Sequence, residues 1–332
     1  MVEVNVDQSK KLGRSIRRYN VRQEFLSRPF LCVKIGLEHK LRGIFYAVAI
    51  CHQTYSLAFR DKNIYGWEVL ELVFYNLMNE GSDFLIPGNI SKKSIAEIAS
   101  ELQKIFRDNN DSASCTLDRL EERANLLIDF DSRIGHYYNG RISDLLSESN
   151  SMLFNKGKGL YEILDHFEAF SDPFRKKSSF LIKLLQDADL IEISDPENFI
   201  PVMDYHIQRV LMRSGCVDIS DRNLYKKLAE RQAVEDDTPI REACIESMKI
   251  IALESGHSIA AMNDFFWPLG RSCCNKYPLC EIGSCEKSPC SLTRLITLEH
   301  PHKKCILDEV CKGKSDIHYR NLWQPLIKTH YY

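Results

Sequence analysis

The sequence predicts an all-α protein, and three observations indicate that class. Apolar residues recur at helical spacing through most of the chain, alternating strand-like patterns are hard to find, and the breaks are short turns rich in Asp, Asn, Gly and Pro. The chain has 332 residues, of which 44% are hydrophobic, enough for one large or two small packed domains. We therefore expect a mostly helical globular protein.

Two segments before residue 110 predict amphipathic helices. In residues 66–80, Val69, Val73 and Leu77 repeat on one helical face. In residues 91–106, Ser91 is the expected N-cap of an apolar series that starts at Ile95. Later helices are predicted for "LDRLEERANLLIDF", "GLYEILDHFEAF", "RKKSSFLIKLLQDA", "YHIQRVLMRSG", "DRNLYKKLAERQ" and "PIREACIESMKIIALESG".

The composition changes near Gly270, where helical patterning gives way to a cysteine-rich stretch. Seven of the twelve cysteines lie between Cys273 and Cys311. In a long chain of intracellular character, such crowding indicates metal ligation rather than a disulfide framework. We predict a helical domain over residues 1–268 and a metal-binding loop with a C-terminal tail over residues 269–332.

The formal net charge is −2, so the whole molecule offers no electrostatic argument for nucleic acid, and any basic surface must be local. No apolar run is long enough to cross a bilayer, and the basic N-terminal segment lacks the apolar stretch of a signal peptide. We expect a cytoplasmic monomer with no membrane partner.

The segment "IPVMDYHIQRVLMR" (residues 200–213) places Asp204 between an apolar approach and a basic helix. An aspartate at a helix N-cap is common and stabilises by about 1 kcal/mol, so capping and catalysis both remain open from this pattern. The segment resembles the one that carries the essential aspartate in helix-hairpin-helix DNA glycosylases. That resemblance implies a two-lobed helical fold, a catalytic Asp204, and substrate or DNA contacts by Tyr205 and Arg209.

Two further segments resemble parts of the same superfamily. "AICHQTYSL" matches an early helix end whose Gln or Asn reaches the base pocket, which implies a substrate-binding role for Gln53 and neighbouring His52. In "FEAFSDPFRKKSSFLIKLL" the usual glycine hairpin is missing, and Arg175 and Lys176 are the side chains that could bind phosphate instead. Bifunctional members have a nucleophilic lysine here, which makes Lys177 a catalytic candidate; a solvated basic helix start is the alternative.

The cysteine spacing resembles the iron–sulfur loop of several of these glycosylases, in which six, two and five residues separate four cysteines. Six residues separate Cys273 from Cys280 and five separate Cys305 from Cys311, but a long insertion replaces the central two. The insertion contributes Cys285, Cys290, His300 and His302. The resemblance implies a [4Fe–4S] cluster; zinc is the alternative, because thiolates suit both and histidines favour zinc.

The resemblance implies a DNA N-glycosylase that excises a damaged or modified base, in DNA repair or in antiviral defence against modified phage DNA. The partner would then be DNA, with the protein associated with the nucleoid when bound. Breaking the C1′–N bond develops positive charge on the sugar, which a fixed carboxylate stabilises while it orients the attacking water. Because this chemistry does not need Lys177, a monofunctional enzyme is favoured.

Two alternative functions remain. Queuosine-salvage glycosidases, which cleave a nucleotide rather than DNA, share this helical fold and resemble the chain at Asp204-Tyr205, at "TPIREACIES" and at the terminal Tyr331-Tyr332, although they lack the cysteine loop. A non-enzymatic nucleic-acid-binding module could use "GRSIRRYNVRQ" and the loop. Asp204 discriminates between the classes, since a binding module does not need it.

Overall fold

The computed structural model describes residues 1–22, 28–108, 114–284, 290–296 and 303–332. Helix accounts for 54% and strand for 4% of this structure, which confirms the predicted all-α class. Within the described ranges, no helix is both long and apolar enough to cross a membrane.

The helices and strands follow one another along the chain with short connections. In chain order they are β1 (Val2–Val4), α1 (Val6–Ile16), α2 (Leu37–Ala49), β2 (Ala58–Phe59), β3 (Ile64–Tyr65), α3 (Trp67–Asn79), α4 (Ile95–Ile105), α5 (Leu120–Tyr138), α6 (Ile142–Glu148), α7 (Leu160–Leu164), α8 (Lys176–Asp187), α9 (Tyr205–Ser214), β4 (Val217–Ile219), α10 (Arg222–Ala229), α11 (Thr238–Ser255), α12 (Ile259–Arg271), α13 (Leu279–Ile282), α14 (Ser291–Leu295), α15 (Lys312–Ser315) and α16 (Ile317–Arg320). Turns of 3₁₀ helix occur at Thr54–Ser56, Asp83–Leu85, Glu168–Phe170 and Pro196–Asn198.

The chain forms two compact units. The terminal unit comprises Met1–Glu24 and Ile200–Lys328, and the central unit comprises Phe25–Phe199 and Thr329–Tyr332. The chain passes from one unit to the other after residues 24, 199 and 328. The boundary predicted between residues 268 and 269 stays a prediction. The described part of the cysteine-rich stretch shares the hydrophobic core of the terminal unit, in which Cys273 and Leu307 are buried.

The terminal unit is built around the packing of α1 on α11 and of α9 on α12. Strands β1 and β4 pair antiparallel, with Val2 opposite Ile219. Gly13 permits the close approach of α1 and α11, because a Cβ at this position would lie 2.7 Å from the Cβ of Glu254 and 2.8 Å from the carbonyl oxygen of Ile251. Helix α9 ends at Gly215, whose φ of 79° favours glycine.

In the central unit, α2 packs against α3, α5, α6 and α8. Its core contains the rings of Phe45 and Phe130, whose centroids are 5.4 Å apart. A buried polar network is embedded in this core: the Asp131 carboxylate accepts hydrogen bonds from Arg42 Nη1 at 2.8 Å and from the Tyr46 hydroxyl at 2.9 Å. The pairing satisfies groups that would be costly to bury alone.

The start of α4 differs from the prediction. Ser94, and not Ser91, is the N-cap. The Ser94 hydroxyl accepts the backbone N–H of Glu97 at 3.3 Å, and the Glu97 carboxylate accepts the backbone N–H of Ser94 at 2.8 Å. This reciprocal capping box satisfies two backbone donors, which a serine at position 91 is too far from the helix to do.

Candidate functional site

Asp204 lies at the N-terminus of α9 in the terminal unit. Its backbone is extended, with φ −103° and ψ 172°, and its Oδ1 accepts the backbone N–H of Ile207 at 3.0 Å. The side chain is buried. Its capping role is therefore shown, and the helix dipole favours a negative charge at this position.

The basic residues of α9 are directed into the terminal unit rather than onto its surface. Arg209 is buried; its Nε donates to the Cys274 carbonyl at 2.8 Å and its Nη2 to the Gly270 carbonyl at 2.6 Å. Its guanidinium lies over the ring of Trp323, 4.5 Å from the centroid. Burial lowers the pKa of Arg209 to about 10. These contacts occupy the N–H groups of Arg209 that the sequence analysis expects to bind DNA.

Tyr205, the first residue of α9, is partly buried. Its ring centroid lies 4.3 Å from that of His206. Tyr205 therefore lies next to Asp204 at the start of the helix, and its substrate contact stays a prediction.

The basic start of α8, in the central unit, is also packed. Arg175 has a left-handed backbone, its Nη2 pairs with Asp165 Oδ2 at 2.6 Å, and its guanidinium lies over the ring of Phe154. Lys176 is buried, with its Nζ 3.7 Å from the sulfur of Cys51. The alternative of a solvated basic helix start is thus wrong for Lys176, which is buried beside the thiol, whereas Arg175 is partly exposed.

Lys177 is fully buried at the first turn of α8. Its Nζ donates to the carbonyl of Ala49 at 2.5 Å, at the C-terminus of α2, and lies 3.3 Å from Nδ1 of His52. Burial lowers the pKa of Lys177 to about 7. The amine therefore loses its proton near neutral pH more readily than that of an ordinary lysine.

His52 lies between Lys177 and Glu122. Its Nε2 is 3.1 Å from Glu122 Oε1, although the two groups are not aligned as a linear hydrogen bond. Burial, reinforced by the charge of Lys177, holds the pKa of His52 well below its usual value. A neutral ring that accepts from Lys177 at Nδ1 carries its hydrogen on Nε2, toward Glu122. The Glu122 side chain is 35% exposed, so the three groups connect a buried amine to solvent.

Gln53 follows His52 and adopts a left-handed backbone with φ 44°. Its Oε1 accepts a hydrogen bond from Arg119 Nη1 at 2.7 Å, and the same nitrogen donates to the Thr329 carbonyl at 2.8 Å. Arg119 also pairs with Glu122, at 2.5 Å. Gln53 and His52 are therefore brought together with Lys177 through α5.

Sequence reasoning missed the partners on α5 and at the C-terminus. Arg119 and Glu122 are three residues apart, a spacing typical of helical ion pairs, but nothing in the sequence links them to His52 or Lys177. His330 is a further neighbour: burial and the charge of Lys177 lower its pKa.

Two of the cysteines contact Arg213 in the terminal unit. Arg213 Nη1 lies 3.8 Å from the sulfur of Cys274, and the sulfur of Cys311 lies 3.6 Å from the Arg213 carbonyl oxygen. Cys273 is buried, with its sulfur 3.8 Å from the Ser272 hydroxyl. Cys274 thus lies at the guanidinium of Arg213 and Cys311 at its main-chain carbonyl.

The ionisation of the other thiols supports the same grouping. Burial raises the pKa of Cys280, of Cys305 and, to about 12, of Cys311. The nearby thiol of Cys274 raises the pKa of Cys280 and Cys311 further, and Cys273 and then Cys274 raise that of Cys305. The predicted ligands Cys280, Cys305 and Cys311 therefore lie near Cys274, and Cys305 also lies near Cys273, the cysteine that the family spacing selects.

The donor chemistry of this neighbourhood suits a soft metal centre, because cysteine thiolates bind both iron–sulfur clusters and zinc. Among the described residues, no three His, Cys, Asp or Glu side chains are arranged to hold a metal ion. Cys285, His300 and His302, which the sequence places in the insertion, lie outside the described residues.

The chain matches no protein-family model, and no curated protein sequence matches it at a significant level. The proposed function therefore depends on the motifs and on the geometry of the chain's own residues.

Proposed function

We propose that this protein is an N-glycosidase that releases a damaged or modified base from DNA, with Asp204 as the catalytic carboxylate. The observation that carries the proposal is a buried carboxylate held at the N-terminus of α9 by the Ile207 N–H. The helical class and the "IPVMDYHIQRV" resemblance support it.

The chemistry fits a fixed anion at this position. Cleavage of the C1′–N bond leaves positive charge on the sugar, and a carboxylate that is already oriented stabilises it without reorganisation. The same carboxylate accepts a proton from the attacking water. The N-terminus of α9 favours the ionised form that both roles require.

A hydrolytic reaction needs no amine, so we propose a monofunctional enzyme. Should the enzyme also cleave the DNA strand, Lys177 is the candidate nucleophile because its pKa of about 7 leaves a neutral amine available. Borohydride trapping on DNA that contains an abasic site tests this step, since only an imine to the protein is reduced to a stable crosslink.

The metal centre, whether [4Fe–4S] or zinc, would be held by Cys280, Cys305 and Cys311 together with Cys273 or Cys274. It would supply structural support to the cysteine-rich stretch. The bond cleavage proposed for Asp204 does not pass through it.

The test is base release from a panel of oligonucleotides that carry oxidised, alkylated, deaminated or hypermodified bases, with released bases identified by mass spectrometry. Asp204→Asn should abolish release, because it removes the charge. Its side chain can still cap α9, so the fold should be kept. Asp221→Asn is the matched control, since Asp221 caps α10 of the same unit by accepting the Leu224 N–H at 2.8 Å. Equal rates in wild type and Asp204→Asn would contradict the proposal.

One observation favours the salvage alternative, in which the substrate is a free nucleotide. A DNA enzyme must bind phosphates on both sides of the target, yet Lys176 and Arg209, assigned to that role, are buried. Lys303 and Lys304 remain exposed. Faster release from oligonucleotides than from the mononucleotide, with a rate that falls as salt rises, supports the DNA reading; equal turnover and no salt dependence support salvage.

The non-enzymatic module makes a different prediction for the same variants. A binding module should retain all of its nucleic-acid affinity in Asp204→Asn and release no base from any substrate. Filter binding or fluorescence anisotropy, run beside the release assay, measures that affinity. Release of a base from any DNA or nucleotide by wild type, lost in Asp204→Asn, contradicts the module.

A further inference from the structure

A thiol and an amine face each other inside the central unit, where the end of α2 meets the start of α8. Cys51 lies two residues beyond the end of α2, and Lys176 is the first residue of α8. Both side chains are buried, and the Nζ of Lys176 lies 3.7 Å from the sulfur of Cys51. The two residues are 125 positions apart in the chain, so their contact joins two separate helices.

The thiol is the only hydrogen-bond partner of the Lys176 amine among the described residues. Within the same residues no carboxylate lies at ion-pair distance from this amine, which otherwise faces the ring of Phe180 at 5.5 Å from the centroid. A buried ammonium without a carboxylate is costly, and the thiol is the neighbour that can balance it by giving up its proton. The pair therefore contains either a thiolate beside an ammonium or a thiol beside a neutral amine, and each form includes a nucleophile.

Further basic side chains approach the same thiol. Burial lowers the pKa of Lys177 and of Arg123, and the charge of Cys51 opposes that change in both. Arg123 is fixed there because its Nη1 donates to the Ile50 carbonyl. Thiols that react with peroxides are typically found in such basic surroundings.

Lys176, rather than Lys177, is the amine that is positioned to react with Cys51. The Nζ of Lys177 donates to the Ala49 carbonyl at 2.5 Å and lies 3.3 Å from Nδ1 of His52, so its hydrogen bonds hold it to other groups. The Nζ of Lys176 has the sulfur itself as its partner.

We propose that Cys51 and Lys176 are a redox modification site, at which hydrogen peroxide produces a covalent sulfur–nitrogen crosslink. The Cys51 sulfur attacks one peroxide oxygen, the O–O bond breaks, and the departing hydroxide takes the thiol proton and leaves as water. The resulting sulfenic acid is then attacked by the Lys176 nitrogen, the S–O bond breaks, and this hydroxide takes a proton from the nitrogen to form a second water. The sulfur loses two electrons and the peroxide gains them.

The crosslink fastens the end of α2 to the start of α8, beside Lys177 and His52. Cys51 and Lys176 keep 7% and 8% of their surface exposed, and peroxide is little larger than water, so small local openings admit it. A cellular thiol reverses the step: it attacks the Cys51 sulfur, the S–N bond breaks, the amine regains a proton, and a second thiol reduces the mixed disulfide.

Peptide mapping of the full wild-type chain tests the proposal without any substitution. The protein is treated with hydrogen peroxide at neutral pH, remaining thiols are blocked with N-ethylmaleimide, and the product is digested with trypsin. We expect the tryptic peptide of residues 43–60, which contains Cys51, to be joined to a peptide that begins at Lys176. The mass of the joined species should equal the sum of the two peptides less two hydrogens, and dithiothreitol should separate them.

Lys176→Arg is the matched variant, because it keeps the positive charge and replaces the amine with a poorly nucleophilic guanidinium. It should oxidise at Cys51 without forming a crosslink. Cys115 is an internal control in the same unit, since its sulfur contacts the Leu117 carbonyl rather than an amine. It should be oxidised without being joined to any lysine.

The proposal is overturned if Cys51 stays an unmodified thiol under conditions that oxidise the exposed Cys32. It is equally overturned if Cys51 becomes a disulfide or a sulfinic acid while Lys176 is unmodified, or if the crosslink is to Lys177. A crosslink between Cys51 and Lys176 that retains one added oxygen supports the same site, because thiol, amine and two peroxides give an N–O–S bridge and three waters. None of these measurements requires base release, so they stand apart from the proposed glycosidase.

Discussion

The Nζ of Lys177 lies 3.3 Å from Nδ1 of His52, which places two titratable groups in contact inside the central unit. Both are fully buried, and burial lowers the pKa of each. The charged form of either residue disfavours that of the other, so the two side chains are not both positively charged near neutral pH.

Lys177 should make the protein more stable as pH rises above neutrality. The pKa of Lys177 is about 7 in the folded protein and near 10.5 in the unfolded chain, so the unfolded chain binds the extra proton between these values. We expect the free energy of unfolding of wild type, relative to Lys177→Met, to rise by about 1 kcal/mol per pH unit from pH 7.5 to 9.5. Urea titrations at each pH measure it.

Lys104→Met is the control, because Lys104 is exposed in the last turn of α4. Its unfolding free energy should parallel that of wild type at every pH. Parallel curves for Lys177→Met as well would show that Lys177 keeps an ordinary pKa in the folded protein.

His52 should have its effect on the acid side. The pKa of His52 is well below its usual value in the folded protein, so stability is lost as pH falls through about 6.5, the pKa of an unfolded histidine. His52→Gln cannot take up that proton and should lose less stability between pH 6.5 and 5. Thermal unfolding across this range measures the difference, and equal acid sensitivity of the two proteins would refute it.

The sequence predicts those helices whose apolar residues keep a regular period. Helices α3, α8, α9 and α10 form within the predicted segments, and α11 begins one residue before its segment. Helix α5 continues to Tyr138, beyond the predicted end at residue 130. The added turns carry few apolar residues, so periodicity does not predict them. The buried ion pair of Asp131 with Arg42 holds part of this extension. That contact joins residues distant in the chain, which periodicity does not reveal.

The candidate sites show the same limit. The position of Asp204 at the start of α9 follows from local signals, an apolar approach and an N-cap residue. The contact of His52 with Glu122 and Lys177 joins three separate segments and has no local signal. Arg209 illustrates the opposite error: a basic residue on a helix reads as exposed, but backbone carbonyls and Trp323 hold it inside.

Gly13→Ala should destabilise the terminal unit. The added Cβ would lie 2.7 Å from the Glu254 Cβ, so α1 and α11 must separate, at a cost of about 1–3 kcal/mol. Gly135→Ala is the opposite case, since Gly135 lies inside α5 with no atom within 4 Å of an added Cβ, and should stabilise by about 0.5–1 kcal/mol. Urea unfolding compares the two. Equal signs would contradict the α1–α11 packing.

Asp204→Ala should lower the free energy of unfolding by about 1 kcal/mol, and Asp204→Asn should change it by less than about half of that, because Asn retains the cap. Asp221→Ala provides the reference value for an exposed cap in the same unit. These measurements separate capping from catalysis. A large loss of stability in Asp204→Asn would mean that the charge itself supports the fold. The activities of the variant and of wild type would then have to be compared at a temperature at which both proteins are folded.

Cys274, rather than Cys273, should be the fourth metal ligand beside Cys280, Cys305 and Cys311. It contacts Arg213, as Cys311 does, and it raises the pKa of Cys280, Cys305 and Cys311. Iron and zinc per chain should therefore fall by at least half in Cys274→Ser, because loss of one of four thiolates weakens both kinds of centre. Elemental analysis of protein purified without oxygen, with visible absorbance for iron–sulfur, gives the readout.

Cys32→Ser, at an exposed cysteine of the central unit, is the control and should retain the wild-type content. Full metal in Cys274→Ser with loss in Cys273→Ser would restore the family spacing, whereas absence of both metals from the wild-type protein would refute the metal centre altogether.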